Sequence, residues 1–340
     1  MRSTILDIAR EAGVSPATVD RVLNNRPGVK LRTKQVVLAA AQKLDYSAEI
    51  DSGPVVVNSA KIRLHFALPA GSNAFIATFR RQIEILAAAR PELDVSVLLI
   101  EGFSPDSLAR TLRELEGQTD GVGVIALDHP TVREAIRSLA ASGVKVATVV
   151  SDISHVPRTA YIGIDNRAAG RLAGYLLSRF IGSRPNAKVA LLAGSLSYRG
   201  HEEREMGFRH ILKEEFQSIE IVEIREMLDD QDRAYSEAAA LLEKHPDLAG
   251  IYNVGAGSMG IGKALKDRNL QSSIVFVGHD ATEDTKPLLL DGTMDAAIDQ
   301  NPRVEARESL NILTHAVRGL PYEGHPPRLQ VIFKENIPEF

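Results

Sequence analysis

Apolar residues recur with helical spacing at the start of the chain. The first predicted helix carries them at positions i, i+3, i+4 and i+7, which places them on one face. These residues are Ile5, Ile8, Ala9 and Ala12. The hydroxyl of Thr4 can cap the start of this helix, and Gly13 supplies the turn that ends it.

Two more helices are predicted in the same segment. The second runs from Pro16 to Leu23 after an N-cap at Ser15, and the third from Arg32 to Leu44. Their inner faces are apolar, with Val19, Val22 and Leu23 in the second helix and Val36, Val37, Ala40 and Leu44 in the third. Two short helices joined by a turn and braced by a third form a helix-turn-helix, whose second helix enters the major groove of DNA. A generic three-helix bundle is the alternative.

From Lys61 onward, apolar runs of strand length alternate with helical stretches. The predicted strands are Ile62–Leu68, Val95–Leu99, Gly123–Ala126, Val146–Val150, Tyr161–Ile164, Lys188–Ala193, Ile219–Ile224, Gly250–Val254, Ile274–Gly278 and Ala296–Asp299. The predicted helices include Ala77–Ala89, Pro105–Gln118, Thr131–Ser142, Arg167–Phe180, Glu202–Glu215 and Asp232–Lys244. This alternation predicts parallel sheets with helices on both faces, and so many strands favour two sheets over one. The expected fold is a small all-α head followed by an α/β body of two doubly wound parallel-sheet lobes.

Charge is distributed unevenly between the head and the body. The chain of 340 residues has a net charge of −4, with +3 in residues 1–50 and −7 in the remainder. A basic head on an acidic body indicates that the head meets nucleic-acid phosphates and the body does not. The chain has no cysteine, which excludes disulfides, thiolate metal sites and a cysteine nucleophile.

The N-terminal segment has no apolar core of a secretory signal, and no apolar run approaches the roughly 18 residues of a membrane span. We therefore expect a cytoplasmic protein with no membrane partner. No metal site and no cofactor is expected.

The first segment resembles the head of the LacI/GalR (lac-repressor-like) family of bacterial regulators. The resemblance rests on T-I-L-D-I-A-R-E-A-G-V-S-P-A-T-V-D-R-V-L-N-N, which begins at Thr4. It implies that Pro16, Ala17 and Arg21 face base edges, and Arg21 suits bidentate contact with guanine. It also implies phosphate-holding or helix-fixing roles for Thr4, Ser15, Thr18, Asn24 and Thr33. The implied partner is double-stranded operator DNA, bound by a homodimer because one head covers only a half-site.

The chain departs from the family pattern at two places. Asp20 stands where the family usually has serine. The family also follows its tyrosine, here Tyr46, with a hinge helix of the pattern P-N-x-x-A-x-x-L, which residues 47–60 lack. We therefore predict a DNA-binding head over residues 1–46 and a flexible linker over residues 47–60.

The order of elements in residues 61–340 resembles the periplasmic-binding-protein fold, which forms the body of the same family. The resemblance implies three crossings between lobes, near Ile164, Gln300 and Tyr322. Lobe 1 would comprise residues 61–164 and 301–322. Lobe 2 would comprise residues 165–300 and 323–340.

Polar and aromatic residues follow most of the predicted strands, at the sheet edge where open parallel sheets bind ligands. Carboxylates, amides, an arginine and an aromatic ring suit a polyhydroxylated ligand such as a sugar, a polyol or a related metabolite. The predicted ligand-binding residues, several of them placed by the family resemblance, are Asn73, Phe75, Ser151, Asp152, Arg204, Asn253, His279, Asp280 and Gln300.

Several of these residues have a structural alternative. Arg204 can be a structural residue of its lobe, and Asp280 can cap a helix beginning at Thr282. Gln300 can serve as a hydrogen-bonding residue of the hinge. His279 can either stack on the ligand or be an ordinary loop residue.

Two other functions remain open. The stretch Gly255-Ala256-Gly257-Ser258-Met259-Gly260 is a G-x-G-x-x-G after a strand, and Asp280 follows twenty residues after its last glycine. That pattern is typical of dinucleotide sites, so an NAD-dependent enzyme is one alternative. No other catalytic motif is present, and we expect no enzyme activity. A solute-binding protein of a transport system is the second alternative, which the fused DNA-binding head disfavours. The expected function is that of a repressor whose operator affinity depends on a ligand between the lobes.

Overall fold

The structure, a computed structural model, describes residues 4–23, 29, 31–43, 61–101 and 103–338. It divides into two compact units, residues 1–59 and 60–340, which are described separately as the head and the body. The expectations for Asn24, Leu44, Tyr46 and the linker 47–60 lie outside the described residues.

The head contains three helices: α1 Ile5–Ala12, α2 Pro16–Leu23 and α3 Leu31–Lys43. A reciprocal capping box starts α1, because the Asp7 amide donates to Thr4 Oγ1 and the Thr4 amide donates to the Asp7 carboxylate. Gly13 ends α1 in the left-handed conformation, as predicted.

The head buries the apolar faces of its three helices against one another. The buried side chains are Ile8, Ala9, Val19, Val22, Val37, Ala40 and Ala41. The prediction for α3 was wrong at one position, because Val36 is 44% exposed and Ala41 takes the inner place. At 100° per residue, Val36 and Ala41 lie equally far from the midpoint of Val37 and Ala40, so helical periodicity alone does not decide between them.

The body begins with lobe 1, a sheet of five parallel strands with its helices. Its elements in chain order are β1 Ile62–Pro69, α4 Ala74–Ala88, β2 Leu93–Ile100, α5 Pro105–Glu114, β3 Gly121–Val124, α6 Pro130–Ala141, β4 Lys145–Val149 and β5 Ala160–Ile162. The strand order is β2-β1-β3-β4-β5, with every pairing parallel. Strands β3 and β4 are buried along almost their whole length, as expected where helices cover both faces of a sheet.

Lobe 2 has a sheet of six strands. Its elements in chain order are α7 Asn166–Ile181, β6 Ala187–Ala193, α8 Arg199–Glu215, β7 Ile219–Glu226, α9 Gln231–Lys244, β8 Leu248–Asn253, α10 Ser258–Lys266, β9 Val275–His279, α11 Thr285–Leu290 and β10 Ala296–Asp299. The later helix α12 Pro302–Val317 packs on α4, β3 and β4 of lobe 1, and β11 Gln330–Ile332 completes the second sheet. A short 3-10 helix, Lys334–Asn336, follows.

The second sheet has the order β11-β10-β9-β8-β6-β7. All ten predicted strands are present, and the parallel two-lobed fold is confirmed. The sequence did not indicate β11, which is three residues long and pairs antiparallel with β10. Among the described residues, no helix is long and apolar enough to cross a membrane.

The chain passes between the two sheets three times. The connections follow β5, β10 and α12, and they contain Ile164, Gln300 and Tyr322 respectively. Asn301 takes a left-handed conformation at the second connection and caps α12 by accepting from the Val304 amide. Three connecting segments thus join the lobes, an arrangement typical of two-lobed proteins that close by a hinge motion.

Candidate functional site

A cavity lies within the body, with lining residues from both lobes. Its empty space is about 700 Å³, open solvent at the mouth included. The elements that meet there are the ends of strands and the starts of helices, as expected for parallel sheets. Seven of the nine predicted ligand residues line it: Asn73, Phe75, Ser151, Arg204, His279, Asp280 and Gln300.

Arg204 lies at the centre of a buried hydrogen-bond chain. Its Nε donates to Asn166 Oδ1 at 2.8 Å, its Nη1 to the Val254 carbonyl at 2.8 Å, and its Nη2 to Gln300 Oε1 at 2.7 Å. Gln300 in turn donates from Nε2 to both carboxylate oxygens of Asp280, at 3.0 and 3.1 Å. These hydrogen bonds fix the orientation of Arg204, Gln300 and Asp280 before any ligand binds.

Asp280 is a buried carboxyl with an unusual backbone. Its φ of 65° lies in the left-handed region, where non-glycine residues are uncommon. Burial, reinforced by the nearby charge of Asp299, raises the pKa of Asp280 to about 7. Its carboxylate accepts from Gln300, and α11 begins only at Thr285, so the alternative of a cap on a helix beginning at Thr282 is wrong.

A second carboxyl lies behind Asp280. Glu305 on α12 is fully buried, and neither of its carboxyl oxygens has a hydrogen-bond partner among the described residues. Burial, followed by repulsion from Asp280, raises the pKa of Glu305 well above its ordinary value. Burial therefore raises the pKa of two neighbouring carboxyl groups, one of which, that of Asp280, lines the cavity.

The two histidines of the cavity are uncharged at neutral pH. His279 Nε2 is hydrogen-bonded to Tyr252 Oη at 2.8 Å, and burial lowers its pKa well below the ordinary value. Burial lowers the pKa of His201 to about 4. Arg204 therefore carries the positive charge among the described residues that line the cavity, opposite Asp229, Asp280 and Asp284.

Lobe 1 contributes an amide, an aromatic ring and a hydroxyl. Asn73 caps α4 by accepting from the Phe75 and Ile76 amides, at 3.0 and 3.3 Å. Phe75 is 4% exposed and stacks in parallel on Phe79. Ser151 Oγ accepts from the Gly200 amide of lobe 2 at 3.1 Å.

The structure does not bring the other two predicted residues to the cavity. Asp152 pairs with Arg158 at 2.6 Å and accepts from Thr148 Oγ1 at 2.7 Å, both within lobe 1. Asn253 is completely buried and donates to Ser258 Oγ at 2.9 Å. Both side chains are bound by residues that lie nearby in the sequence, and neither residue lines the cavity.

Several lining residues were missed by the sequence analysis. They include His201, Asp229, Ser258, Thr282, Asp284 and Thr285. For Asp229 the signal was present, because a carboxylate after a strand is the feature that singled out Asp280. It was overlooked because β7 runs to Glu226, two residues beyond its predicted end.

The G-x-G-x-x-G stretch has a packing explanation at each glycine. A Cβ at position 255 would lie 2.7 Å from Asp229 Oδ1, and one at 260 would meet the Gln231 carbonyl. Gly257 has a φ of 92°. The Ala256 amide donates to Asp229 Oδ1 and the Gly260 amide to Gln231 Oε1. The amides that a dinucleotide phosphate would need are thus hydrogen-bonded to protein side chains.

The head presents the predicted base-facing side of α2. Pro16, Ala17 and Arg21 are exposed, and Asp20 is half-buried. Ser15 Oγ accepts from the Thr18 amide at 3.2 Å, which caps α2 as expected. The other predicted phosphate-contacting residues within the described chain are exposed Thr4 and half-buried Thr33.

Comparison with known sequences agrees with both units. The sequence profile described as "Bacterial regulatory proteins, lacI family" matches residues 4–49, and that of the periplasmic binding protein domain matches residues 64–321. The regulator DegA of Bacillus subtilis is 24% identical over 252 residues, 73% of this chain and 72% of its own. Catabolite control protein A of Priestia megaterium is 27% identical over 289 residues, 83% of each chain. The sucrose operon repressor of Escherichia coli is 28% identical over 249 residues, 72% of this chain and 71% of its own.

Solved structures share the fold of the body. The glucose-galactose binding protein GanP of Geobacillus stearothermophilus superposes with a TM-score of 0.74 at 24% identity, covering 82% of this chain and all of its own. A solute-binding protein of Burkholderia graminis, solved with D-arabinose, gives a TM-score of 0.77 at 22% identity, covering 83% and 98%.

A helix-turn-helix head and a two-lobed body with a central cavity define a DNA-binding transcription regulator with a ligand-binding domain. Residues 4–49 belong to the lacI family of bacterial regulatory proteins, and the body, over residues 64–321, belongs to the periplasmic binding protein domain family.

Proposed function

We propose that this regulator is a homodimeric repressor whose operator affinity is set by a small, uncharged, polyhydroxylated ligand bound in the cavity. The observation that carries the ligand assignment is the buried chain of Arg204, Gln300 and Asp280. It presents a rigid set of donors and acceptors to one wall of a cavity with an aromatic ring at another.

The charge of the cavity supports a neutral ligand. Asp229, Asp280 and Asp284 all line it, so an anionic group would sit beside acidic side chains and would raise the already elevated pKa of Asp280 further. Arg204 uses three of the five N–H donors of a guanidinium on protein acceptors and keeps donors for a ligand hydroxyl or ring oxygen. Carboxylates accept hydroxyl hydrogens strongly, which favours a sugar or polyol over a sugar acid or phosphate.

The names of relatives support the same class of ligand. The Escherichia coli relative is a sucrose operon repressor, and the Burkholderia graminis protein of the same fold was solved with D-arabinose. We propose a sugar, a polyol or a related metabolite for this chain, with Asn73, Phe75 and Ser151 as the contacts from lobe 1.

Control of DNA binding requires that ligand binding change the body. A ligand that contacts both lobes favours the closed arrangement, by its differential affinity for that state. In a dimer with one head per half-site, a change in the body alters the placement of the heads. Residues 47–60 would serve as the linker that transmits it, and the protein would act in the cytoplasm with its DNA.

The DNA contact is proposed for the exposed side of α2. Arg21 would contact a guanine edge through two hydrogen bonds, with Pro16 and Ala17 beside it and with Thr4, Ser15, Thr18, Asn24 and Thr33 holding phosphates or fixing the helix. Replacing Arg21 with alanine should then remove discrimination at one base pair of each half-site, at a cost of about 1–3 kcal/mol against the preferred base.

The test is selection of binding sites from random DNA, followed by fluorescence anisotropy on the selected operator. Arg21→Ala should keep weak, salt-dependent binding but select a degenerate base at one position. Arg10→Ala, which removes an exposed arginine of α1, is the matched control and should select the wild-type site. Unchanged sequence preference in Arg21→Ala would refute the proposed base contact.

A further inference from the structure

The loop between β7 and α9 holds two neighbouring non-glycine residues in the left-handed conformation. Leu228 has a φ of 52° and Asp229 a φ of 54°. This conformation is costly for side-chain-bearing residues and persists where surrounding contacts enforce it. Here it turns Asp229 of lobe 2 toward the cavity and toward lobe 1.

The Asp229 carboxylate occupies a fitted niche. Its Oδ1 accepts from the Ala256 amide at 2.9 Å. A Cβ at position 255 would come within 2.7 Å of that oxygen, and one at 194 would come closer still. Glycines at both positions therefore leave room for the carboxylate, and the His201 ring lies against the same positions.

The second oxygen of this carboxylate reaches across the cleft. Asp229 Oδ2 accepts from Asn73 Nδ2 of lobe 1 at 3.1 Å. Ser72 Oγ of lobe 1 also donates to the Asp229 carbonyl, at 3.5 Å. Further contacts between the lobes come from Ser197 and from Gly200 in the first turn of α8: the Ser197 carbonyl accepts from the Asp128 amide, and the Gly200 amide donates to Ser151 Oγ. Asp229 thus joins the lobes through a different loop, and its carboxylate lines the cavity.

We propose that Asp229 and Asn73 form a latch that holds the two lobes closed and positions the cavity wall for its ligand. Asn73 is held by its capping bonds to α4 and Asp229 by Ala256, so each side of the latch is rigid within its own lobe. A ligand hydroxyl that donates to Asp229 would bind the same carboxylate that closes the cleft. Only that consequence rests on the proposed ligand-binding function, since the latch itself joins protein groups.

The pair can be broken and rebuilt by exchanging its two residues. Asn73→Asp keeps an oxygen that caps α4 but faces Asp229 with a second carboxylate, so the latch becomes repulsive. Adding Asp229→Asn restores it, because the new amide can donate to the carboxylate at 73 while its oxygen still accepts from Ala256. Asp232→Asn, at an exposed carboxyl near the start of α9, is the matched control.

Lobe closure can be measured without ligand or DNA by pulsed electron spin resonance between two spin labels. Because the chain has no cysteine, Arg81→Cys in α4 and Ala240→Cys in α9 give one exposed label in each lobe. These helices follow the two loops that carry the latch. Thermal melting of each variant checks that it is folded.

The wild-type chain and Asp232→Asn should both show a population at the closed distance. In Asn73→Asp the ratio of closed to open molecules should fall about tenfold, equivalent to about 1.4 kcal/mol, and the exchanged double variant should recover it. A wild-type chain with no closed population, an unchanged distribution in Asn73→Asp, or an opened Asn73→Asp that the exchange does not recover would each overturn the latch. None of these results would affect the proposed ligand or operator binding, which are measured separately.

Discussion

The two lobes build their halves of the cavity in different ways. In lobe 2 and its connection, Arg204, Gln300 and Asp280 are hydrogen-bonded to one another and buried. In lobe 1, Asn73 and Ser151 find partners across the cleft, in Asp229 and Gly200. The hydrogen-bond chain of lobe 2 is therefore complete within itself, whereas the bonds of Asn73 Nδ2 and Ser151 Oγ depend on closure.

This difference indicates how the molecule divides recognition from response. A preformed wall orients a ligand without reorganisation, which lowers the entropic cost of binding. On the opposite wall, the bonds of Asn73 Nδ2 and Ser151 Oγ form only when the lobes approach, so they depend on whether the cleft is closed. Perturbing lobe 2 should abolish recognition, and perturbing lobe 1 should change the population of the closed state.

The largest effect is expected from removing the centre of the preformed wall. Arg204→Ala leaves Asn166 Oδ1, the Val254 carbonyl and Gln300 Oε1 without a donor in the interior. Each buried acceptor that loses a charged donor destabilises the folded state. The free energy of unfolding should therefore fall by about 3 kcal/mol. Urea unfolding measures this, and thermal shift should show no stabilisation by any ligand of the wild-type protein.

Arg209→Ala is the control on the same helix. Arg209 forms an exposed ion pair with Glu205, so its loss should cost less than about 1 kcal/mol and leave the ligand response intact. Operator binding by Arg204→Ala should persist, because the head is a separate unit with its own core. Equal effects of the two substitutions would contradict the proposed role of Arg204 in ligand binding and in the stability of the body.

A smaller effect is expected from the buried carboxyl of the same wall. The folded-state pKa of Asp280 is raised to about 7, whereas an unfolded aspartate titrates near its ordinary value of about 4. Between these pH values the folded protein retains a proton that the unfolded chain has lost, so this group lowers stability as pH rises. Glu305, whose pKa is also raised, contributes with the same sign.

Asp280→Asn removes the titration of Asp280 and preserves an oxygen for Gln300. The loss of unfolding free energy between pH 5 and pH 8 should therefore be smaller in this variant, by on the order of 2 kcal/mol. Asp232→Asn, an exposed carboxyl of the same lobe, should keep the wild-type dependence. A pH dependence in Asp280→Asn as steep as that of wild type would contradict the buried, protonated state of Asp280.

The sequence predicted the fold well because its signals are local. Buried parallel strands are nearly continuous apolar runs, and the capping residues of α1 and α2 lie beside the helices they start. The strand β11 was not predicted, because a strand of three residues is too short to show a periodic pattern in the sequence. Val36 was wrongly predicted to be buried, because apolar residues are adjacent in α3 and their spacing does not determine which of them face the core.

The site was predicted less completely, because the position of a residue does not fix the direction of its side chain. The strand-end rule and the family resemblance identified Arg204, Asp280 and Gln300, which meet in one chain. They could not show that Arg158 would hold Asp152 away from the cavity. Nor could they show Asp229, whose role depends on a left-handed backbone and on an asparagine in the other lobe.

The central claim is that a ligand in the cavity controls DNA binding by the head. It is tested most directly by measuring operator affinity by fluorescence anisotropy with and without the neutral sugar or polyol that stabilises the protein most in a thermal-shift panel. We expect affinity to change by at least about fivefold at saturating ligand, and this change to vanish in Arg204→Ala. Ligand binding that leaves the operator affinity of the wild-type protein unchanged would contradict the account.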